Sequence, residues 1–141
     1  MKLLNIVLFA SMLTYANAQL VQHSDNIIKD TSNNFLWQDS DTVKTETKNY
    51  EDAIQYCKNL ELDGQSNWKV PGFLELFSIV DAKVYNPTLS KAFKNFSPSN
   101  YWTTKVYSHG LSKEAFVIDF KSGAFNREKM AKKFYVRCYK K

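Results

Sequence analysis

The clearest periodic stretch of the chain follows Asn49, where Tyr50, Ala53, Ile54, Cys57 and Leu60 recur at helical spacing and lay one apolar stripe along one side. Asn49 is a good N-cap, and Glu51 and Asp52 put negative charge in the first turn, so a helix is expected from there with Cys57 on its buried face. Asp63-Gly64 ends it. A shorter helix is expected from about Phe73 to Val80, after Val70-Pro71-Gly72, with Phe73, Leu74, Phe77 and Val80 as its apolar set, and Asn86-Pro87 marks a turn. The C-terminal half then changes period. Phe116, Ile118 and Phe120 alternate with Ala115, Val117 and Asp119, a turn falls at Lys121-Ser122-Gly123, and Phe134, Val136 and Cys138 alternate with Tyr135, Arg137 and Tyr139. These stretches predict antiparallel strands, the last with Cys138 facing inward and Tyr135, Arg137 and Tyr139 facing outward. Shorter strands are expected at Ile27 to Lys29, Phe35 to Gln38, Trp68 to Val70 and Tyr101 to Lys105. The pattern as a whole is α+β.

At 141 residues, 44% hydrophobic and 23% charged, the chain is sized and composed for one globular domain. Disordered, collagen-like and polytopic membrane proteins are excluded by that balance. Ahead of the domain, Met1 and Lys2 precede an apolar run from Leu3 to Leu13, and Ala16-Asn17-Ala18 is a small-x-small cleavage site, so residues 1–18 are expected to be a secretory signal peptide. The mature chain would begin at Gln19. Residues 19–26 are expected to form a frayed terminal segment and 27–141 the domain, with no membrane span after cleavage. Export places the protein in the periplasm or outside the cell.

Export also decides how the cysteines are read. In an oxidising compartment, with no third ligand-type residue spaced near either, Cys57 and Cys138 are more naturally a disulfide than a metal pair or a nucleophile. Both lie on inward faces of their predicted elements, as a bridge requires.

Several motifs carry a resemblance. Leu36-Trp37-Gln38-Asp39, Tyr50-x-x-Ala53-Ile54-x-Tyr56-Cys57-x-x-Leu60, Ser66-Asn67-Trp68-Lys69-Val70-Pro71 with Glu75-Leu76, Tyr101-Trp102-Thr103-Thr104, Phe116-x-Ile118-x-Phe120-x-x-Gly123 and Tyr135-Val136-Arg137-Cys138 occur in an order that resembles the bacterial DUF1566 family, also called the Lcl C-terminal domain. The resemblance covers about Ile27 to Tyr139. It implies a C-type-lectin-like fold, with two helices packed on small antiparallel sheets and a disulfide from the first helix to the last strand. It also implies an exported or surface-associated protein, since some members sit on collagen-like stalks that act in adhesion. Tyr50 stands where the family usually has Trp, Asn67 where it often has Asp, and Lys69 where it often has Arg. Lysine at 69 offers a point charge in place of a planar bidentate donor.

Residues that could support catalysis are sparse. The calcium-dependent sugar motifs of true C-type lectins are missing, and Asp39-Ser40-Asp41 lacks the glycine turn and distal Glu of a calcium loop. No metal or other cofactor is expected. His23 and His109 are the only imidazoles, and Ser108-His109 are adjacent, a poor arrangement for a nucleophile and its base. Glu75, Asp81, Glu114 and Asp119 could supply a carboxylate acid/base pair. Of these, Glu75 is the most interesting, with a structural role at the start of the second helix and beside Lys69 as its expected use. Trp37, Trp68 and Trp102 are expected in the core.

Charge points elsewhere. The last fifteen residues hold seven basic side chains against Glu128 alone, a net +6. Lys132, Lys133, Tyr135, Arg137, Tyr139 and Lys140 therefore form the candidate ligand surface, in which rings would stack on sugar faces and cations would attract anionic groups. The same residues would equally serve as a charged edge that blocks strand aggregation. Nucleic acid is not expected as a partner, since export removes it. The expected function is an exported, non-enzymatic binding or adhesion module of the bacterial envelope, with an anionic glycan or envelope protein as partner. The alternatives are a structural subunit of a surface or periplasmic assembly, or an envelope hydrolase using a carboxylate.

Overall fold

The computed structural model describes residues 19–141; the expected signal peptide, Met1 to Ala18, lies outside the described residues. In chain order the elements are β1 (Leu20–Ser24), β2 (Ile27–Asp30), β3 (Phe35–Gln38), α1 (Thr42–Thr45), α2 (Tyr50–Asn59), α3 (Phe73–Phe77), β4 (Asn100–His109), β5 (Ser112–Asp119), β6 (Phe125–Lys129) and β7 (Tyr139–Lys140). They form two antiparallel sheets, β1-β2-β3-β7 and β4-β5-β6, so the class is α+β as expected. No helix among the described residues is long and apolar enough to cross a membrane.

Neighbouring residues on the strands serve two different cores. Ile28, Tyr101, Ile118 and Tyr139 belong to a cluster with Trp37, Leu76, Phe93 and Phe120. Their immediate neighbours Ile27, Trp102, Val117 and Cys138 belong to a second, with Ala53, Cys57, Trp68, Val70 and Val136. Successive side chains on a strand point to opposite faces. These strands are therefore covered on both sides, and Leu20 of β1 packs against the first of the two cores.

The helix α2 forms for the reasons its sequence suggests. The Asn49 side chain accepts a hydrogen bond from the Asp52 amide at 2.9 Å, and Ala53 and Cys57 are its buried residues. Past its end, Asp63 and Gly64 both adopt positive φ, at 48° and 76°, which turns the chain back. Cys57 and Cys138 are joined by a disulfide with a Cα–Cα distance of 5.5 Å. It ties α2 to the segment entering β7.

Four local expectations change. Residues 19–26, expected to fray, supply β1, which pairs with β2. Trp68 to Val70 makes only a single bridge, Lys69 to Tyr139, in place of a strand. The hairpin starting at Tyr101 runs well beyond Lys105 to His109, with a bulge between Trp102 and Val106. The expected strand from Phe134 to Tyr139 is mostly an extended crossing between the sheets. It bridges Lys48 at Phe134 and Tyr101 at Tyr135 before joining β3 at Tyr139.

Candidate functional site

That crossing decides the fate of the surface expected at the C-terminus. A segment running between two sheets has no outward face, so Arg137 and Tyr139 are 1% and 3% exposed. Arg137 Nη1 donates to Gln38 O and to Asp39 Oδ1, Nη2 donates to Asn95 O at 2.6 Å, and the guanidinium lies 4.3 Å from the centre of the Phe93 ring. Burial pushes the Arg137 pKa down, against the opposing pull of Tyr101 and Asp39. Tyr139 packs at 5.4 Å against both Phe35 and Trp37. Tyr135 is half-buried beside Tyr101, at 5.5 Å between ring centres.

The lysines of that set are dispersed. Lys132 and Lys133 are exposed in the turn after β6, where Lys132 pairs with Glu128. Lys140 donates to Ser66 O at 2.8 Å and to Gln65 Oε1 at 3.1 Å. Of the six residues expected to make one binding face, two are thus core, two are spent on or packed among neighbours, and only Lys132 and Lys133 are freely exposed.

The carboxylates are dispersed as well. Asp81 and Asp119 accept backbone amides two residues ahead, at 3.0 and 2.9 Å, and so shape turns. Glu114 faces Arg127 at 3.9 Å. Asp39 is committed to Arg137 and Asp41 pairs with Lys44, so the Asp39-Ser40-Asp41 segment is used internally. The tryptophans are buried in the cores; Trp68 and Trp102 spend their indole N–H groups on Gln65 O and Lys48 O.

Two of the four carboxylates line openings: Asp81 shares a hollow of about 320 Å³ with Asp30, where both accept nearby backbone amides, and Glu75 lines another. A hollow of about 380 Å³ is lined by Ile54, Lys58, Trp68, Lys69, Val70, Gly72, Glu75, Thr104 and Tyr139. It shares Gly72, Glu75 and Thr104 with a second hollow of about 460 Å³, whose other walls are Phe73, Leu74 and Lys105. Together they make a shallow groove along α3. Glu75 does not pair with Lys69 as expected. Lys69 extends its ammonium over the Tyr139 ring, 5.5 Å from its centre, and the Glu75 carboxylate folds back over Gly72. A Cβ at position 72 would lie 2.3 Å from Glu75 Oε2, so only glycine leaves the carboxylate this place.

The groove's electrostatics are set by three exposed lysines, Lys58, Lys69 and Lys105, around one carboxylate. Tyr139 lines the same hollow. Burial first, and the Glu75 charge second, hold its phenol above its ordinary pKa of 10.0. The arrangement can hold an anionic group by charge and hydroxyls by hydrogen bonds. Sequence inspection marked Glu75 but missed the groove, because its walls come from the end of α2, the 68–72 loop, α3, β4 and β7. The one local signal is Gly72 three residues before Glu75, just ahead of a helix.

No curated protein matches the chain. The family model of the Lcl C-terminal domain matches residues 26–140. That span takes in every strand but β1, the disulfide and every residue lining the groove, and the chain belongs to the Lcl C-terminal domain family.

Proposed function

We propose that the protein is an exported, non-enzymatic binding or adhesion module of the bacterial envelope that recognises anionic glycans. The observation that carries this reading is the groove along α3, where Lys58, Lys69 and Lys105 surround an opening floored by Trp68, Tyr139 and Thr104. Cations around a shallow groove suit sulfate or carboxylate groups spaced along a chain, while aromatic edges and hydroxyls suit the sugar rings between them. Membership of the Lcl C-terminal domain family supports a surface-associated role. The two small antiparallel sheets and the bridge from α2 to the last strand support the C-type-lectin-like reading. Catalysis has no part in the proposal, since Glu75 is the one carboxylate facing the groove and the other three are engaged elsewhere.

The test is binding of the exported protein to a sulfated polysaccharide such as heparin, followed as salt rises. Binding that weakens with salt and is lost in the Lys58→Gln/Lys69→Gln/Lys105→Gln variant supports the proposal. Binding that survives in that variant but disappears in Lys132→Gln/Lys133→Gln moves the site to the turn after β6. No binding by the folded wild type refutes the glycan reading. N-terminal sequencing of the same material should begin at Gln19.

A further inference from the structure

Next to the groove, α3 and the three-stranded sheet leave an aromatic face open. Phe73 stacks on Phe77 at 5.9 Å and meets Phe116 and Phe125 edge-on at 6.0 and 5.1 Å. Phe73 and Phe116 are partly covered, but Leu74 is 78% exposed, Phe77 43% and Phe125 58%. Large apolar side chains this exposed, gathered around one aromatic base, mark an interaction surface.

The face also carries an excess of cations. Lys105 Nζ lies 5.3 Å from the Phe73 ring centre and 5.0 Å from that of Phe116, and Arg127 lies 4.2 Å from that of Tyr107. Alternation along β6 puts Phe125, Arg127 and Lys129 on one face, and the register sets Lys129 opposite Glu114, an acid on that face. Three cations therefore stand against two carboxylates, Glu114 at 3.9 Å from Arg127 and Glu75 in the hollow it shares with Lys105.

We propose that this face docks on an anionic lipid surface, with Leu74, Phe77 and Phe125 entering the interface and Lys105, Arg127 and Lys129 meeting lipid phosphates. The charge complementarity argues for an anionic occupant, and the exposure of the apolar groups argues for lipid. Leu74, Phe77 and Phe125 stand 78%, 43% and 58% exposed, whereas a protein partner draws most of its affinity from anchors enclosed in recesses. Exposed apolar groups flanked by cations are the pattern of proteins that lie on a membrane, where apolar burial and attraction to anionic headgroups add. This surface borders the proposed glycan groove and shares Phe73, Leu74 and Lys105 with its wall, whereas Phe77, Phe125, Arg127 and Lys129 belong to this surface alone.

The experiment is sedimentation of the exported protein with vesicles of phosphatidylglycerol and phosphatidylcholine in equal parts, and with phosphatidylcholine alone. Binding to the anionic vesicles that falls as salt rises is expected. Leu74→Glu/Phe125→Glu should weaken it by roughly thirtyfold or more, and Lys105→Gln/Arg127→Gln by roughly tenfold. Near-ultraviolet circular dichroism and the melting transition confirm that each variant is folded. Absence of binding to anionic vesicles overturns the proposal, as does binding unchanged in folded Leu74→Glu/Phe125→Glu. A dimer in sedimentation equilibrium that this variant abolishes, without vesicle binding, overturns it in favour of a second copy of the chain. Heparin binding keeps the two proposals apart: Lys58→Gln/Lys69→Gln should retain the vesicle signal, and Phe77→Glu/Phe125→Glu, neither of which lines the groove, should lose the vesicle signal and retain the glycan signal.

Discussion

Arg137 and Asp39 form an ion pair at 3.1 Å in which both side chains are 1% exposed. Asp39 completes its shell with the amides of Lys94 and Asn95, at 2.9 and 3.0 Å, so the pair joins β3, the loop before β4 and the crossing segment at one point. Removing one partner of such a pair strands the other in a low-dielectric interior. Arg137→Gln should therefore destabilise the fold by about 3–5 kcal/mol, measured by urea denaturation. Arg137→Lys should recover only part of this, because one ammonium cannot reproduce the fork that reaches Gln38 O, Asp39 and Asn95 O. A loss under about 1 kcal/mol for Arg137→Gln, the range of exposed pairs, would contradict the buried placement.

The same pair explains why sequence inspection succeeded in one place and failed in another. The helix α2 was legible because its cap, its first-turn acids and its buried stripe all lie within twelve residues, Asn49 to Leu60. The disulfide was legible from compartment and residue count. Arg137 was misplaced because alternation assumes one wet face, and its burial depends on Asp39, 98 positions away. The strands β1 and β6 were missed for the opposite reason. Both lie at sheet edges, where one apolar face is not required, and Phe125-Asn126-Arg127-Glu128-Lys129 has a single apolar residue. The groove brings Lys58, Lys69, Gly72, Glu75 and Thr104 together through packing alone, so no window of sequence could contain it.

The Cys57–Cys138 bridge spans a sequence separation of 81 and lies wholly within the second core. Closing a loop of that length removes denatured-state entropy worth up to roughly 4.5 kcal/mol on the chain-entropy account. Cys138→Ser, or reduction, should then lower the melting temperature by on the order of 10–20 °C. Mass spectrometry of unreduced peptides should recover the two cysteines in one linked fragment. Two free thiols in folded protein would refute the pairing.

Asp63 fastens the β1–β2 turn to the exit of α2. Its carboxylate accepts from Ser24 Oγ at 2.6 Å and from the Asn26 amide and Nδ2, both at 2.9 Å, which lowers its pKa below 3.8. A lowered carboxyl pKa contributes stability above the unfolded value and loses it as pH falls through the folded value. Amide exchange at Asn26 should therefore show protection at neutral pH that fades as pH falls below about 4. Asp63→Asn should exchange faster than the wild type above that range and converge with it below, with little change in the global melting temperature.

At the alkaline end, three phenols act together. Burial raises the pKa of Tyr101 and, with Glu51 as the second cause, that of Tyr50; it does the same for Tyr139, with Glu75 second. A raised tyrosine pKa means the folded state holds its proton longer than the unfolded chain. The stabilisation is fully present below the unfolded value of 10.0 and is lost as pH rises through the folded values. Denaturation midpoints should thus be nearly constant from neutral pH to about 9 and fall above about 10. Glu75→Gln separates the two causes at Tyr139. Removing the neighbouring charge should shift one phenolate titration, followed by ultraviolet absorbance, toward lower pH, yet leave it above 10.0 because burial persists. Gly72→Ala should produce the same shift without touching the charge, since the added Cβ displaces the Glu75 carboxylate from its place over the backbone. Titration curves of both variants superimposed on the wild type would show that Glu75 does not act on Tyr139, and would remove the carboxylate from the floor of the groove.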